Sequence, residues 1–352
     1  MNRFIHRGFF TEVFRQLKTP GIVMACVLML FNVGTFFTNV TAMVTSQMSN
    51  VPSDSTNAVY MMLFIYVSSL VLTFIAFNWL NRRSTSDFYH ALPIKRAKMY
   101  WSAFLAVVLW IVIAITGYAV VHAFLYLITG MPFNYLSYLC VYLNMLIGII
   151  QVAGVVSLAC ALSGTRFVNL FSTAVMLLIP RALLLVLAGF IQEEASFLPV
   201  LRISFLFDPS FNIFGTPYMT LFGGAADLAI VSFTNPIAMA YSLVHACLIA
   251  FLGMLAFRHR PSEAAGMPMR NKIIQGIIRT AFGLPLLLIA VLLLLTDNFS
   301  ISATVILVLF AFTFYCLYEL ISTKSAKRML LSIIVLQIQY LHYSFLPCNA
   351  LL

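Results

Sequence analysis

The stretch WSAFLAVVLWIVIAITGYAVVHAFLYLIT, residues 101–129, contains no Asp, Glu, Lys or Arg. A helix that crosses the hydrocarbon core of a bilayer needs roughly 20 consecutive apolar residues. A second uncharged run, residues 58–80, lies on the other side of a short polar segment. The two runs therefore predict two membrane-spanning helices joined by a compact polar connection.

The composition of the whole chain indicates the same class of protein. Of its 352 residues, 62% are hydrophobic and only 9% are charged, whereas soluble domains carry about 25% charged residues. The net charge of +10 comes from short basic clusters between apolar runs. Cytoplasmic loops have this distribution, so we expect contact with membrane lipid and no nucleic-acid partner. The six Cys form no CxxC pair, and no disulfide framework or metal site is predicted.

The apolar runs predict an all-α integral membrane protein with about nine transmembrane helices. The predicted spans lie at residues 21–40, 58–80, 101–129, 139–163, 168–190, 236–257, 280–296, 301–320 and 329–346. If the N-terminus is cytoplasmic, every Lys and Arg except Arg181 and Arg202 falls in a cytoplasmic segment. This asymmetry follows the positive-inside rule, so we expect a multi-pass protein with its N-terminus in the cytoplasm.

Residues 1–20 have the pattern of an amphipathic helix at the membrane interface. Its apolar stripe, at helical spacing, would consist of Phe10, Val13, Phe14 and Leu17. The basic residues Arg7, Arg15 and Lys18 lie away from that stripe, which suits a helix on a lipid surface. The Thr-Pro-Gly sequence at 19–21 should end this helix.

The rest of the chain divides into three predicted regions. Residues 21–257 would form a six-span core, 258–279 a basic cytoplasmic loop, and 280–352 additional transmembrane helices. Between the fifth and sixth spans, residues 192–235 are aromatic but interrupted by Pro and Gly. Irregular backbone at membrane depth lines a cavity or is buried in protein. This segment is therefore either a folded external cap or the outer gate of a transport path.

The sequence carries no motif for catalysis or nucleotide binding. It has no Gly-Lys dipeptide and therefore no Walker A phosphate loop, and it has no H-E-x-x-H metal motif. We therefore predict no catalytic residue, no cofactor, no metal and no enzyme activity. Any function driven by ATP would require a separate ATPase.

Ionisable side chains within the predicted spans include His122, Arg181, His245 and Glu319. Charge inside a bilayer is costly, so such residues are paired or functional. For His122 and Glu319, which lie near span ends, we favour a structural role. Arg181 and His245 are candidates for a translocation path, with a structural pair as the equal alternative for Arg181.

The polar connection between the second and third spans reads SDFYHALPIKR over residues 86–96. It resembles the D-x-Y-H-S-L-P-[IV]-K-R stretch of the permease subunits of ABC-2 type ABC exporters from Gram-positive bacteria, including the acetoin-utilisation type permeases. Ala91 stands where the commonest form of that stretch has Ser. Residues 258–266, RHRPSEAAG, resemble the R-x-R-x-S-E-x-A-G run that follows the sixth span in the same group.

This resemblance implies a membrane-spanning permease subunit of an ATP-driven exporter in a bacterial cell membrane. It implies that the 82–100 loop is a coupling helix that docks on a separate ATP-binding subunit. A second permease copy or a paralogue would complete the transporter. The residues expected at the docking contact are Asp87, Phe88, Tyr89, His90, Leu92, Pro93, Ile94, Lys95 and Arg96. The apolar anchors among them would be Phe88, Tyr89, Leu92 and Ile94.

Other interpretations of the same features make different predictions. A plain cytoplasmic turn held against lipid headgroups would account for the basic residues of the 82–100 loop, but it would not need the aromatic residues beside a Pro. A stand-alone secondary transporter would work from an ion gradient without an ATPase. A non-transporting sensor or immunity subunit would form a complex without substrate-stimulated ATP turnover.

Overall fold

The structure is a computed structural model that describes residues 5–46, 55–129, 135–177, 179, 236–267, 269, 271–295 and 301–323. Within these residues every regular element is a helix and no strand occurs, which confirms the all-α class. The principal helices are α1 (Arg7–Gln16), α2 (Lys18–Ser46), α3 (Ser55–Phe77), α4 (Arg83–Ala91), α5 (Arg96–Thr129), α6 (Tyr135–Leu162), α7 (Arg166–Leu177), α8 (Pro236–His259), α9 (Lys272–Leu295) and α10 (Ile301–Thr323). Arg181, the 192–235 segment and the 329–346 run lie outside the described residues.

Four helical stretches in the described part of the chain are long and apolar enough to cross a membrane. They are Lys18–Phe37, Phe64–Asn81, Arg96–Thr129 and Met145–Leu162. Shorter apolar helices occur at Arg166–Leu177, Leu243–His259 and Thr304–Leu320. Many of their Leu, Ile, Val and Phe side chains point outward from the helices, which suits contact with lipid tails. The protein thus has the helices of a membrane protein.

The junction between α1 and α2 lies at Leu17, earlier than the 19–21 break that the sequence predicts. Because α2 begins at Lys18, Pro20 falls in its first turn. The first turn of a helix has no partner for its N–H groups, so a Pro there costs no hydrogen bond. The Thr-Pro-Gly sequence therefore opens a helix instead of ending one.

The buried face of α1 is also shifted from the predicted stripe. Phe9 and Val13 are buried, whereas Phe10 and Phe14 are only partly buried. The Phe14 ring stacks on Trp110, with centroids 4.8 Å apart, and its carbonyl accepts a hydrogen bond from the Trp110 indole at 2.9 Å. The aromatic residues of α1 thus contact protein on both sides of Val13.

The connection from α3 to α5 is ordered throughout. The 3-10 helix Asn78–Asn81 follows α3, and one extended residue, Arg82, precedes α4. Leu92 is extended again, with φ −65° and ψ 140°, because the residue before a proline is pushed out of the helical region. Pro93 therefore ends α4 and allows α5 to begin afresh at Arg96.

One compact unit comprises the described residues of Met1–Asn169 and Phe197–Gly266. At its centre the Tyr100 hydroxyl shares a hydrogen bond with Ser157 Oγ at 2.7 Å and donates to the Ala250 carbonyl at 3.0 Å. Gly253 leaves room for this hydroxyl, because a Cβ atom there would collide with it. The buried phenol therefore joins α5, α6 and α8.

A second compact unit comprises the described residues of Leu170–Ser196 and Met267–Leu352. In it α9 packs against α10, and Arg279 forms an ion pair with Glu319 at 2.9 Å. The Arg279 guanidinium also lies 4.6 Å from the centroid of the Tyr315 ring. Charged groups within membrane proteins are tolerated when they pair, so this contact gives Glu319 a structural role.

Candidate functional site at α4

The site centres on α4, a short helix held between two candidate membrane spans. Four of the nine residues that the sequence predicts at a docking contact lie in α4, and the other five follow it, up to and including the first residue of α5. The α4 helix lies beside α1, the 3-10 helix Asn78–Asn81, and the segment that follows α8. The side chains of α4 therefore divide between an inner face packed on these elements and an outer face open to the surroundings.

Tyr89 belongs to the inner face. Its ring lies 4.8 Å from that of Trp79 and 5.7 Å from that of Phe9, centroid to centroid. Gln16 Nε2 on α1 donates a hydrogen bond to the Tyr89 hydroxyl at 3.4 Å. Ile94 likewise packs against the hydrophobic core. Two of the four predicted anchors thus hold the segment to its own protein.

Phe88 belongs to the outer face. Its side chain is 63% exposed, and its only ring contact among the described residues is an edge with Tyr89, 5.4 Å between centroids. Asp87, Pro93 and Lys95 are also exposed, whereas Leu92 is half-buried. The structure therefore presents one large apolar side chain, flanked by charges of both signs, on the open side of α4.

His90 lies on the inner face among aromatic rings and cations. Its ring stacks on Phe257 with centroids 6.0 Å apart, and both ring nitrogens are buried and find no hydrogen-bond partner among the residues that the structure describes. Burial first, and then the charges of Arg96 and Arg260, lower the pKa of His90 from 6.5 to about 4, against the opposing effect of Asp87. His90 is therefore neutral near pH 7.

The 258–266 segment packs directly against α4 and the start of α5. Arg83 Nε donates to the Ala265 carbonyl at 3.2 Å, and Ser86 Oγ donates to the Ser262 carbonyl at 3.4 Å. Arg96 Nη1 donates to the carbonyls of Arg258 and Arg260. The two stretches that carry the family resemblance, far apart in the sequence, thus form one structural cluster.

Arg260 is a buried cation, although the sequence places it in a basic cytoplasmic loop. Its side chain is 3% exposed. Its guanidinium donates to four main-chain carbonyls, those of Leu80, Cys160, Ala161 and Ser163. Burial lowers the pKa of Arg260 to about 10, so the group remains charged at neutral pH. No sequence motif signals this role, because every partner is a backbone oxygen.

Gly266 closes the segment in a conformation that other residues avoid. Its φ of +83° lies in the left-handed region, where an L side chain is strained. Its N–H donates to the Gly164 carbonyl at 2.8 Å. The terminal Gly of the RHRPSEAAG sequence is therefore required by backbone geometry.

The predicted translocation residues lie away from this cluster or outside the described residues. His245 on α8 contacts the buried Gln151 of α6 through a short hydrogen bond. His122, buried on α5, shares a 2.9 Å hydrogen bond with Asn32 of α2. Asn32 also donates to the Tyr118 carbonyl at 3.0 Å. Both histidines therefore pair with neutral amide side chains between neighbouring helices.

Comparison with known proteins does not assign this chain to a family. Comparisons with protein-family models, curated proteins and solved structures found no match. Within the described residues, no group of three His, Cys, Asp or Glu side chains is placed to hold a metal ion. The groups that the α4 segment exposes include the apolar side chain of Phe88 and the charged side chains of Asp87 and Lys95.

Proposed function

We propose that this chain is the permease subunit of an ATP-driven ABC-2 type exporter. In this proposal it lies in a bacterial cell membrane with about nine spans and a cytoplasmic N-terminus. The 82–100 loop docks on a separate ATP-binding subunit, which hydrolyses the ATP. A second permease copy or a paralogue completes the transporter.

The observation that carries the proposal is the exposure of Phe88 on a rigidly held helix between two candidate spans. Protein–protein contacts commonly depend on a few aromatic anchors surrounded by a polar rim. Phe88 is such an anchor, and the exposed Asp87 and Lys95 belong to its rim. A partner that covered this face would bury an aromatic ring that the chain leaves open.

The packing beneath α4 supports docking over the alternative of a turn held against lipid headgroups. A headgroup contact would need only the basic side chains. Here the inner face is fixed by Tyr89 against Phe9 and Trp79, and by Arg83 and Ser86 against the segment that follows α8. A helix fixed in this way loses little conformational freedom when a partner binds, which favours affinity.

The test is co-purification with the ATP-binding subunit encoded beside this chain. We expect the wild type to retain that subunit, and Phe88→Ala to weaken retention by about tenfold or more, as for a hot-spot aromatic. Phe124→Ala is the matched control. Phe124 is similarly exposed, at 59%, but it lies near the C-terminal end of α5, whereas α4 precedes the N-terminal end of that helix. If a folded wild type retains no ATPase, or if Phe88→Ala binds it as well as the wild type, the docking proposal is wrong.

Phe88 is a sharper probe than the other predicted anchors. Replacement of Tyr89 or Ile94 would remove contacts within the chain itself, so a lost partner could reflect a displaced α4. Thermal unfolding of each variant distinguishes loss of a contact with the partner from displacement of α4. Phe88→Ala should unfold at the wild-type temperature.

A secondary transporter is the second candidate, and a specific observation favours it. Polar side chains inside membrane helices are costly and mark functional paths by default, and α5 and α8 each carry a histidine paired with a neutral amide. This candidate predicts transport in vesicles that contain the chain, an ion gradient and no ATPase. Absence of such transport, together with ATPase retention, would reject it.

A further inference from the structure

We infer that the 258–266 segment is the link through which α4 displaces α6 and α8, and that Arg260 is the positioning residue of this link. The inference rests on the proposed function, because it requires a partner that moves α4. It adds a second path of motion to the direct covalent connection from α4 into α5. That path is made of hydrogen bonds between residues far apart in the sequence.

On the α4 side, the link consists of side chains that donate to carbonyls of the segment. Arg83 reaches Ala265, and Ser86 reaches Ser262. Arg96, at the start of α5, reaches the carbonyls of Arg258 and Arg260. These donors lie on both sides of Phe88 in the sequence. A force applied at the exposed face of α4 is therefore shared with the segment along its length.

On the α6 side, the link is the buried guanidinium of Arg260. The last carbonyls of a helix have no partner within it and carry partial negative charge. Arg260 donates to three such groups at the end of α6 and, with Nη2, to the Leu80 carbonyl at 2.8 Å. A buried cation that left these oxygens would lose its compensation. The segment must therefore move together with the end of α6.

Two further attachments complete the link. The α8 helix runs directly into the segment, and the Arg260 N–H still bonds to the Phe257 carbonyl at 3.2 Å. At the other end, the Gly266 N–H holds the Gly164 carbonyl at 2.8 Å. The segment is thus fixed to the end of α6 through Arg260 and to the turn that follows α6 through Gly266, and it is continuous with α8. Motion of the segment is motion of these two helices.

Hydrogen–deuterium exchange of the full chain in lipid nanodiscs tests the link without any ATPase. The variant is Arg260→Lys, which keeps the charge but cannot reach all four carbonyls. We expect exchange to accelerate by about fivefold, the effect of losing one or more hydrogen bonds, in residues 159–166 and also in α4. Phe88→Ala, on the exposed face, should change neither region. Acceleration confined to residues 159–166 would overturn the inference.

A second pair of variants breaks the link from the α4 side, in case Arg260→Lys does not fold. Arg83→Ala combined with Ser86→Ala removes two donors from α4, and Arg82→Ala is the control because its exposed side chain makes no hydrogen bond in the described structure. The ATP-binding subunit is added in saturating excess, so that a weaker docking contact in the double variant does not reduce the amount of complex. The increase in ATP turnover that the wild-type chain confers on this subunit should fall by about fivefold or more in the double variant, a loss of coupling similar in size to other allosteric couplings.

The outcomes separate the link from the proposed function. Full stimulation of the ATP-binding subunit by the double variant would overturn the link while leaving the permease proposal intact. Failure of the wild type to retain any ATPase would contradict the permease proposal, and the exchange experiment would still decide whether Arg260 connects α4 to α6.

Discussion

The rings of Phe9 and Tyr89 pack edge to face, with their centroids 5.7 Å apart. This contact joins the first helix of the chain to the helix that carries Phe88. Phe9 also meets Trp79, at 6.4 Å between centroids, so one side chain of α1 contacts both the 3-10 helix that follows α3 and the inner face of α4. The position of α4 therefore depends on α1 as well as on its own covalent neighbours.

Replacement of Phe9 by Ala should lower the free energy of unfolding by about 3 kcal/mol, the usual cost of truncating a buried Phe. Phe9 is 5% exposed, and its loss would leave a cavity between the Trp79 and Tyr89 rings. Equilibrium unfolding in detergent micelles measures the change. Phe88→Ala, an equal truncation on the exposed face, should cost no more than about 0.5 kcal/mol. Equal losses for the two variants would contradict the assignment of inner and outer faces.

The stability of the protein should fall as the pH drops from 6.5 towards 4, because His90 is neutral in the folded chain. The pKa of His90 is about 4 in the folded chain, whereas its ordinary value, which applies to the unfolded chain, is 6.5. Between these values the unfolded chain binds the proton more readily, so acid favours unfolding. The stabilisation is complete above about pH 6.5 and is lost as the pH falls through 4.

His90→Phe tests this pH dependence, since a phenyl ring can still stack on Phe257 but cannot titrate. Thermal unfolding measured at pH 7.5 and at pH 5 should show a smaller difference for the variant than for the wild type. His259→Phe, a change at an exposed histidine, is the control. An unchanged difference in His90→Phe would show that His90 does not contribute.

Gly266→Ala should destabilise the protein by about 1–2 kcal/mol, because an L residue is strained at a φ of +83°. Gly34→Ala is the matched control. Gly34 lies within α2, and a Cβ atom at this position would have no atom of the described residues within 4 Å, so Ala there should be neutral or stabilising by about 0.5–1 kcal/mol. Chemical denaturation measures the change in the free energy of unfolding for each variant. A Gly266→Ala variant as stable as the wild type would argue against the left-handed turn.

The ion pair between Arg279 and Glu319 should show strong energetic coupling. Glu319 is 8% exposed and Arg279 is 23% exposed, so either single change to Gln leaves a poorly compensated charge and should cost about 3 kcal/mol. The double variant should cost clearly less than the sum of the two single variants. Denaturant unfolding of the wild type, the two single variants and the double variant gives the four free energies of this double-mutant cycle. Additive losses would mean that the two side chains do not interact.

Much of the helical architecture could be predicted from the sequence, because so apolar a chain has few other ways to satisfy its backbone in a membrane. The uncharged run 101–129 predicts nearly the whole of α5, which begins five residues earlier at Arg96. The early start follows from Pro93, which ends α4 and leaves the basic residues free to join the next helix. Periodicity and composition were sufficient at this level.

The candidate site was less predictable, since its geometry depends on contacts between distant residues. Helical spacing alone allows either Phe9 or Phe10 to face inward, and the choice is made by Trp79 and Tyr89. The contact from Arg83 to Ala265 joins residues 182 positions apart. Neither the inward orientation of Phe9 nor the contact from Arg83 to Ala265 is indicated by the neighbouring sequence. The sequence predicts a contact segment at residues 82–100 but does not show which of its side chains remain open.

The burial of Arg260 has a consequence for how sequences of this kind can diverge. All four of its acceptors are main-chain oxygens, and every amino acid supplies the same oxygen. This contact therefore places no restriction on side-chain identity at positions 80, 160, 161 and 163, while it demands a guanidinium at 260. Among natural relatives we expect drift at the four acceptor positions and an unchanged arginine opposite them, without the paired substitutions that usually betray an interaction.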